Sequence, residues 1–403
     1  MKTLSRLSAR LAEFRPRFDL PTLCAVLFLV GLGVVMVTTA SSALAAQQNH
    51  DVFFYARRQA IFALVGVVAL FVGAALPSQF LKKHSYPLLI TAFVLLVLVL
   101  IPGIGRVAGG ARRWIEIGPI SLQAGEVMKL ALIVWLARSL SEKVQNGHIK
   151  TFTTGVLPHL LMPGFAVLLL LGEPDFGTSM MLLLVTFVLL FVAGARLGLL
   201  FAAVMGLVPV ALHLIASSDY RMRRMLAFLD PWSHRQNIGY QITESLMTFG
   251  SGGVFGAGFG ESKQKLFFLP AAHTDFVFAI VGEELGFIGV LAVLGAFALI
   301  GARALKAALR RNEPFGSYLT IGLAALLLVQ MLFNVSVVLG LVPTKGITLP
   351  FVSYGGSSLV SSMFMAGILV RLIAEGVQTH EGRDRGSTGV SAGRGLTLRG
   401  GVA

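Results

Sequence analysis

Ten stretches of this 403-residue chain are apolar over about the length a helix needs to cross a bilayer, roughly 20 residues for a hydrocarbon core of ~30 Å. They fall at roughly 20–41, 54–76, 86–102, 121–141, 155–172, 176–193, 197–216, 275–301, 316–341 and 353–374. Nothing else in the chain constrains the fold as strongly. In lipid every backbone N–H and C=O has to be satisfied within its own segment, and runs of this length do so as helices. The composition agrees, at 55% hydrophobic and 13% charged with a mean hydropathy of +0.80. The expected fold is all-α and polytopic: one domain of ten transmembrane helices over 20–375, with a large loop at 217–274 between helices 7 and 8.

The ends differ from this core. At the start, basic residues, an apolar run and Ala43-Leu44-Ala45 imitate a signal peptide, but the run from Leu20 to Ala40 is longer than an ordinary signal core, so it is expected to be retained as the first helix. Upstream, in the 1–19 segment, Leu4, Leu7, Leu11 and Phe14 follow helical spacing with Arg6 and Arg10 between them. That pattern suits either a helix lying on the membrane surface or a disordered tail. Residues 376–403 are rich in Gly, Ser, Thr and Arg, which predicts a disordered tail.

Charge sets the expected orientation. The net charge is +14, yet the Lys and Arg residues lie between apolar runs rather than in a stripe interleaved with aromatics, so they read as topology signals and lipid contacts, and nucleic acid is not an expected partner. With the N-terminus inside, 20 of the 33 Lys and Arg residues lie on the cytoplasmic side and 12 outside, six of those in the long loop. The positive-inside rule then places both ends in the cytoplasm and the 217–274 loop outside. Arg57, Arg58, Arg106, Arg112, Arg113 and Lys345 break the rule on the outer face and need another reason to be there. The single cysteine, Cys24, leaves no room for a disulfide framework or a Cys-based metal site within the chain.

Few residues can carry chemistry. In "AAHTDFVFAIVGEELGFIG" (271–289), Asp275 precedes an apolar helix, where it is placed to cap orphan N–H groups. Glu126 and Lys129 stand at i and i+3 within the fourth apolar run, and either neutralise each other or meet a substrate. Glu283 and Glu284 lie deeper in the eighth run, beside Gly282 and Gly286, which suggest close packing. The loop combines basic and apolar residues with a glycine-rich stretch from Gly250 to Gly260, better suited to tight turns and close backbone approach than to a dinucleotide. Gly250-Ser251-Gly252 lacks the strand of a serine nucleophile turn, and the eight histidines show no zinc spacing. No cofactor is required, and no carboxylate cluster demands a divalent cation, although the outer face leaves one admissible.

The segments "RRWIEIGPISLQAGEVMKLA", "EPDFGTSM", "FLDPW", "GSGGVFGAGFGESKQKLFFLPAAHTDFVFAIVGEELGFIG" and "GLVPTKGITLPFVSYGGSSL" resemble, in order and over nearly the whole chain, the SEDS family of cell-wall glycosyltransferases. "PTKGITLPFVSYGGSS" is more similar to its cell-division branch than to its elongation branch. One departure is Gln123-Ala124-Gly125-Glu126, where the family commonly has Gln-Pro-Ser-Glu, which puts the local turn in question.

The resemblance implies polymerisation of lipid II on the outer side of the bacterial cytoplasmic membrane at the division septum, with undecaprenyl pyrophosphate as leaving group. It implies that Asp275 is catalytic, the base that takes the proton of the acceptor 4-hydroxyl during inverting attack on the donor's anomeric carbon. Arg112, Arg113, Lys263, Lys265 and Lys345 become candidates to hold the pyrophosphate, with lipid headgroups as their other use. The implied partners are an FtsI-like class B penicillin-binding transpeptidase, other division membrane proteins and membrane lipids. Two readings of other kinds stay open: a lipid II flippase, which needs a polar path across the bilayer, and a non-catalytic division scaffold.

Overall fold

The computed structural model describes residues 18–392 apart from 109, 119, 218, 263–270 and 345. The interfacial helix expected within 1–19 therefore lies outside the described residues up to position 17.

Each of the ten apolar stretches carries a helix over most of its length, because in each the backbone has no other means of satisfying itself in an apolar medium. In chain order the helices are α1 (Leu20–Asn49), α2 (Phe54–Ala75), the short α3 (Ser78–Lys83), α4 (Ser85–Leu100), α5 (Ala124–Gln145), α6 (Leu157–Gly172), α7 (Phe176–Val192), α8 (Leu197–Ala216), α9 (Asp219–Leu229), α10 (Tyr240–Ser251), α11 (Val277–Arg310), α12 (Pro314–Val338) and α13 (Gly356–Ala392). Seven spans among the described residues are long and apolar enough to cross a membrane. The chain is a multi-pass membrane protein. Two more helices, α4 and α7, are apolar but shorter. The last helix runs on past Gly376 to Ala392, over the first part of the stretch expected to be a disordered tail.

The sequence reading places no strands, and here the structure corrects it. Residues 105–123 form a three-stranded antiparallel sheet in the order β1 (Gly105–Ala108), β2 (Ala111–Ile117), β3 (Ile120–Gln123), with a bulge at Arg106/Val107. The strand signal was short and lay beside an apolar run, so helix periodicity masked it. β3 passes directly into α5, with Gln123 at the cap position and no cap hydrogen bond from its side chain. The Ala124-Gly125 departure thus opens a helix with no intervening turn.

α5 is the centre of the bundle. It is buried on nearly every side from Ala124 to Ser141 and packs against α4, α7 and α12. Its charged residues are therefore shielded by protein rather than exposed to lipid. α2 and α13 pack most intimately: a Cβ added to Gly367 would sit 1.9 Å from the Leu70 carbonyl oxygen, so only glycine permits that approach. α8 is the opposite case, with only Leu200 buried.

α11 is broken at Gly286, whose φ of 65° and ψ of −163° are open essentially to glycine alone. The glycine-rich stretch of the long loop repairs the break. Ala257 N donates to Glu283 O (2.8 Å) and Gly258 N to Glu284 O (3.1 Å), while Phe287 N donates to Gly253 O (2.9 Å) and Ile288 N to Val254 O (3.3 Å). A Cβ on Gly256 would fall 2.2 Å from the Glu284 carbonyl oxygen. The close backbone approach expected of these glycines is what they supply.

Candidate active site

Asp275 does not cap α11. The helix begins at Val277 with Phe276 at the cap position and no side-chain cap hydrogen bond. The turn before it is closed by backbone instead: Thr274 N and Phe276 N both donate to Ala271 O, at 3.1 and 3.4 Å. A local cap is unnecessary once tertiary hydrogen bonds fix the turn, which leaves the carboxyl for other use.

Those bonds come from two directions. Asn334, near the C-terminal end of α12, donates through Nδ2 to Asp275 O and to Ile347 O, each at 2.8 Å. Tyr354 N donates to His273 O at 2.9 Å. Gly346 lies directly against the carboxyl, since a Cβ there would be 3.6 Å from Asp275 Oδ2. Lys345 lies outside the described residues, but its neighbour Thr344 accepts a hydrogen bond from Arg224 Nη1 through its carbonyl oxygen.

Burial raises the proton affinity of the half-buried Asp275 carboxyl above the ordinary carboxylate range, although the guanidinium groups of Arg224 and Arg113 pull the other way. The outcome is a better base than a solvated aspartate, held near two cations. Beside it His273 sits among the rings of Tyr55 and Tyr354, 4.9 and 5.6 Å between centroids, and its burial depresses it to about 4, so it is neutral at physiological pH.

The strand separates the two candidate arginines. Arg113 donates through Nε to Glu173 O (3.3 Å) and through Nη2 to Pro174 O, and its charge acts on Asp275. Arg112, its neighbour on β2, instead donates to Leu100 O at 3.0 Å. Successive strand residues face opposite ways, which is why the two arginines reach different carbonyls. Of the other out-of-rule cations, Arg57 pairs with Asp51, Arg106 with Glu116, and Arg58 lies over the Phe54 ring. Lys263 and Lys265 lie outside the described residues.

The buried pair in α5 reaches this site. Lys129 Nζ donates to Glu126 Oε1 at 2.8 Å and to Gln330 Oε1 at 3.3 Å, and Gln330 Nε2 donates to Thr348 O at 3.0 Å. Gln330 and Asn334, four residues apart on one face of α12, thus hold both ends of the strip from Ile347 to Thr348. Glu283 accepts from Ser262 Oγ, and both Glu283 and Glu284 serve the junction with the glycine-rich stretch through their carbonyls.

Three residues of the site escaped the sequence reading. Arg224 is one of three arginines within four positions, and nothing linear separates it from Arg221, which lies over the Phe176 ring at 4.8 Å. Glu173 is fully buried, neither carboxyl oxygen has a hydrogen-bond partner among the described residues, and burial with the nearby Asp175 raises it to about 8 against the pull of Arg113. Asn334 did carry a signal: two amides at i and i+4 in an apolar run are expensive in lipid. No group of three or more His, Cys, Asp or Glu side chains suited to a metal occurs among the described residues.

Residues 20–377 match the family model described as cell cycle protein, FtsW/RodA/SpoVE. A probable peptidoglycan glycosyltransferase FtsW of Trichlorobacter lovleyi is 44% identical over 374 residues, covering 93% of this chain and 97% of that protein. Among solved structures, a chain from a study of how a peptidoglycan synthase complex coordinates polymerization and crosslinking superposes with a TM-score of 0.72 at 30% identity, covering 90% of this chain and 99% of that one. The rod shape determining protein RodA of Thermus thermophilus superposes at 0.65 with 28% identity, covering 88% and 96%.

Proposed function

This chain belongs to the FtsW/RodA/SpoVE family of cell cycle proteins, and from that premise we propose that it is a peptidoglycan glycosyltransferase that polymerises lipid II for septal wall synthesis. The observation that carries the reading is the site itself: a half-buried carboxyl of raised basicity at Asp275, within the field of Arg113 and Arg224.

The chemistry follows from those charges. Asp275 accepts the proton of the acceptor sugar's 4-hydroxyl as that oxygen forms its bond to the donor's anomeric carbon. The bond from that carbon to the pyrophosphate oxygen breaks on the opposite face, inverting the centre, and undecaprenyl pyrophosphate leaves with the bonding pair. Arg113 and Arg224, whose charges reach Asp275, would stabilise the negative charge that develops on the departing pyrophosphate. Neutral His273 contributes shape and no charge. Lys263, Lys265 and Lys345 remain pyrophosphate candidates in this reading, and Arg112 ties β2 to the end of α4.

We read ten crossings with both ends in the cytoplasm, which puts the sheet, the 217–274 loop and Asp275 on one outer face, at a division septum. For the transpeptidase partner, a shallow groove of about 350 Å³ between α11 and α12, whose lining includes the small residues Ala298, Gly301, Ala302 and Ala324, would let a partner helix pack closely across it.

The test is polymerisation of purified lipid II by wild type and Asp275→Asn. Loss of a general base predicts a fall of roughly 10²-fold or more. Melting should stay at or above wild type, because the Asp275 side chain makes no cap bond. A folded Asp275→Asn protein that polymerises at the wild-type rate would remove the catalytic assignment. Movement of lipid II to the outer leaflet without polymer from the wild type would favour a flippase.

A further inference from the structure

At the end of the bundle opposite Asp275, a cavity of about 270 Å³ is lined by Gln79, Lys82 and Lys83 of α3 and by Arg138 and Glu142 of α5. Its cations are only partly spent. Arg138 donates through Nε to Glu142 Oε1 (3.1 Å) and through Nη1 to Lys82 O (3.0 Å) and Ser85 Oγ (3.1 Å), which leaves Nη2 without a hydrogen bond among the described residues. Lys82 lies 3.8 Å from Glu313, which also accepts from Gln79 Nε2 at 3.2 Å; both members of the ion pair are over a third exposed, so it holds Lys82 weakly. Lys83 is exposed and forms no ion pair among the described residues.

An apolar track begins at the rim. The Arg138 guanidinium lies over the Tyr86 ring, 4.9 Å from its centroid. From Tyr86 the exposed side chains Ile90, Val94 and Val97 recur at helical spacing up α4, within a single arc of its surface, while Leu89, Ala92, Leu96 and Val99 face the bundle. At 1.5 Å per residue the stripe from Tyr86 to Val97 is roughly 16 Å long, about the depth of one leaflet of a ~30 Å hydrocarbon core.

We infer that this cavity binds the phosphate of an anionic glycerophospholipid of the inner leaflet, whose acyl chain lies along the α4 stripe. A soluble phosphate uses the cations and ignores the stripe; a zwitterionic lipid brings its own cation to a cluster in which Lys82, Lys83 and Arg138 already outnumber the carboxylates Glu142 and Glu313. An anionic lipid meets both features, and basic pockets between helices on the cytoplasmic side are where such headgroups are held. The inner-leaflet label rests on the orientation proposed above.

The experiment uses the full chain in mild detergent, offered equal dioleoyl phosphatidylglycerol and dioleoyl phosphatidylcholine, with retained lipid counted by native mass spectrometry. At least a fivefold preference for phosphatidylglycerol is expected, falling to near parity in Lys82→Gln/Lys83→Gln; Lys83 is exposed, and half-buried Lys82 gives up only its weak pair with Glu313 and its place over the Phe315 ring, so melting should stay near wild type. Lys83→Gln alone should lose part of the preference. Equal retention of the two lipids, or a preference that survives the double substitution, overturns the proposal. Displacement of the lipid by chain-free glycerophosphoglycerol at the same concentration also overturns it, in favour of a soluble phosphate ligand. Orientation is read separately: Lys83→Cys in a Cys24→Ser background should be labelled only from the cytoplasmic side, and labelling from outside would reverse the topology without altering the lipid count.

Discussion

Asn334 holds Asp275 by its backbone, with Nδ2 2.8 Å from the Asp275 carbonyl oxygen and 2.8 Å from that of Ile347. One buried amide therefore sets the distance between the loop that carries the carboxyl and the segment that faces it. Asn334→Ala leaves two carbonyls without their donor. The expected outcome is a loss of about 1–3 kcal/mol in stability and a polymerisation rate at least tenfold lower, measured by melting and by glycan formation from lipid II. Wild-type kcat in Asn334→Ala would mean that the bond serves folding alone.

The Glu126–Lys129 pair is buried, with the Lys129 side chain only 1% exposed. Removing one member strands the other: Lys129→Met should cost about 3–5 kcal/mol, and adding Glu126→Gln should recover much of it. Because Lys129 also reaches Gln330, and through it Thr348, the double variant is expected to fold yet polymerise slowly. A single substitution that melts like wild type would contradict the ion-pair account.

Activity should carry the signature of Asp275 on its acid limb. Burial lifts that carboxyl while Arg224, then Arg113, hold it down. Arg224→Gln removes the larger restraint, so the acid limb of kcat should move to higher pH; Arg224→Lys keeps the charge and should leave it in place. A limb that does not move in Arg224→Gln would detach the arginine from the base.

Glu173 makes a stability prediction with a definite sign. Its folded value of about 8 lies above the ordinary 4.5, so the folded state keeps a proton that the unfolded chain releases. Its contribution is full below about 4.5 and is lost as pH rises toward 8. His273, depressed to about 4, acts oppositely, but only below its unfolded value of 6.5. Between about 6.5 and 8 the melting temperature should therefore fall in the wild type and fall less in Glu173→Gln. Parallel curves would show that Glu173 is already ionised.

The helices were legible in the sequence because the lipid solvent leaves a run of about 20 apolar residues little choice: only internal hydrogen bonds satisfy its backbone. The same reasoning made Glu126 and Lys129 partners, since i,i+3 spacing on one helix is a local geometry. Asp275 stood out by its position and its motif, but the role its local sequence suggests, a helix cap, is one the fold declines. What surrounds Asp275 comes from β2, α9, α12 and Gly346, none of them its neighbour in the chain. Whether Arg112 or Arg113 serves the site depends on the pleat of a short strand hidden beside an apolar run. Whether Gly286 can break a membrane helix depends on a distant glycine stretch that returns its hydrogen bonds. Periodicity records what a segment must do with its own backbone. It holds no record of which remote carbonyl, guanidinium or amide will arrive beside it, and in this protein those arrivals decide the charge and placement of the candidate base.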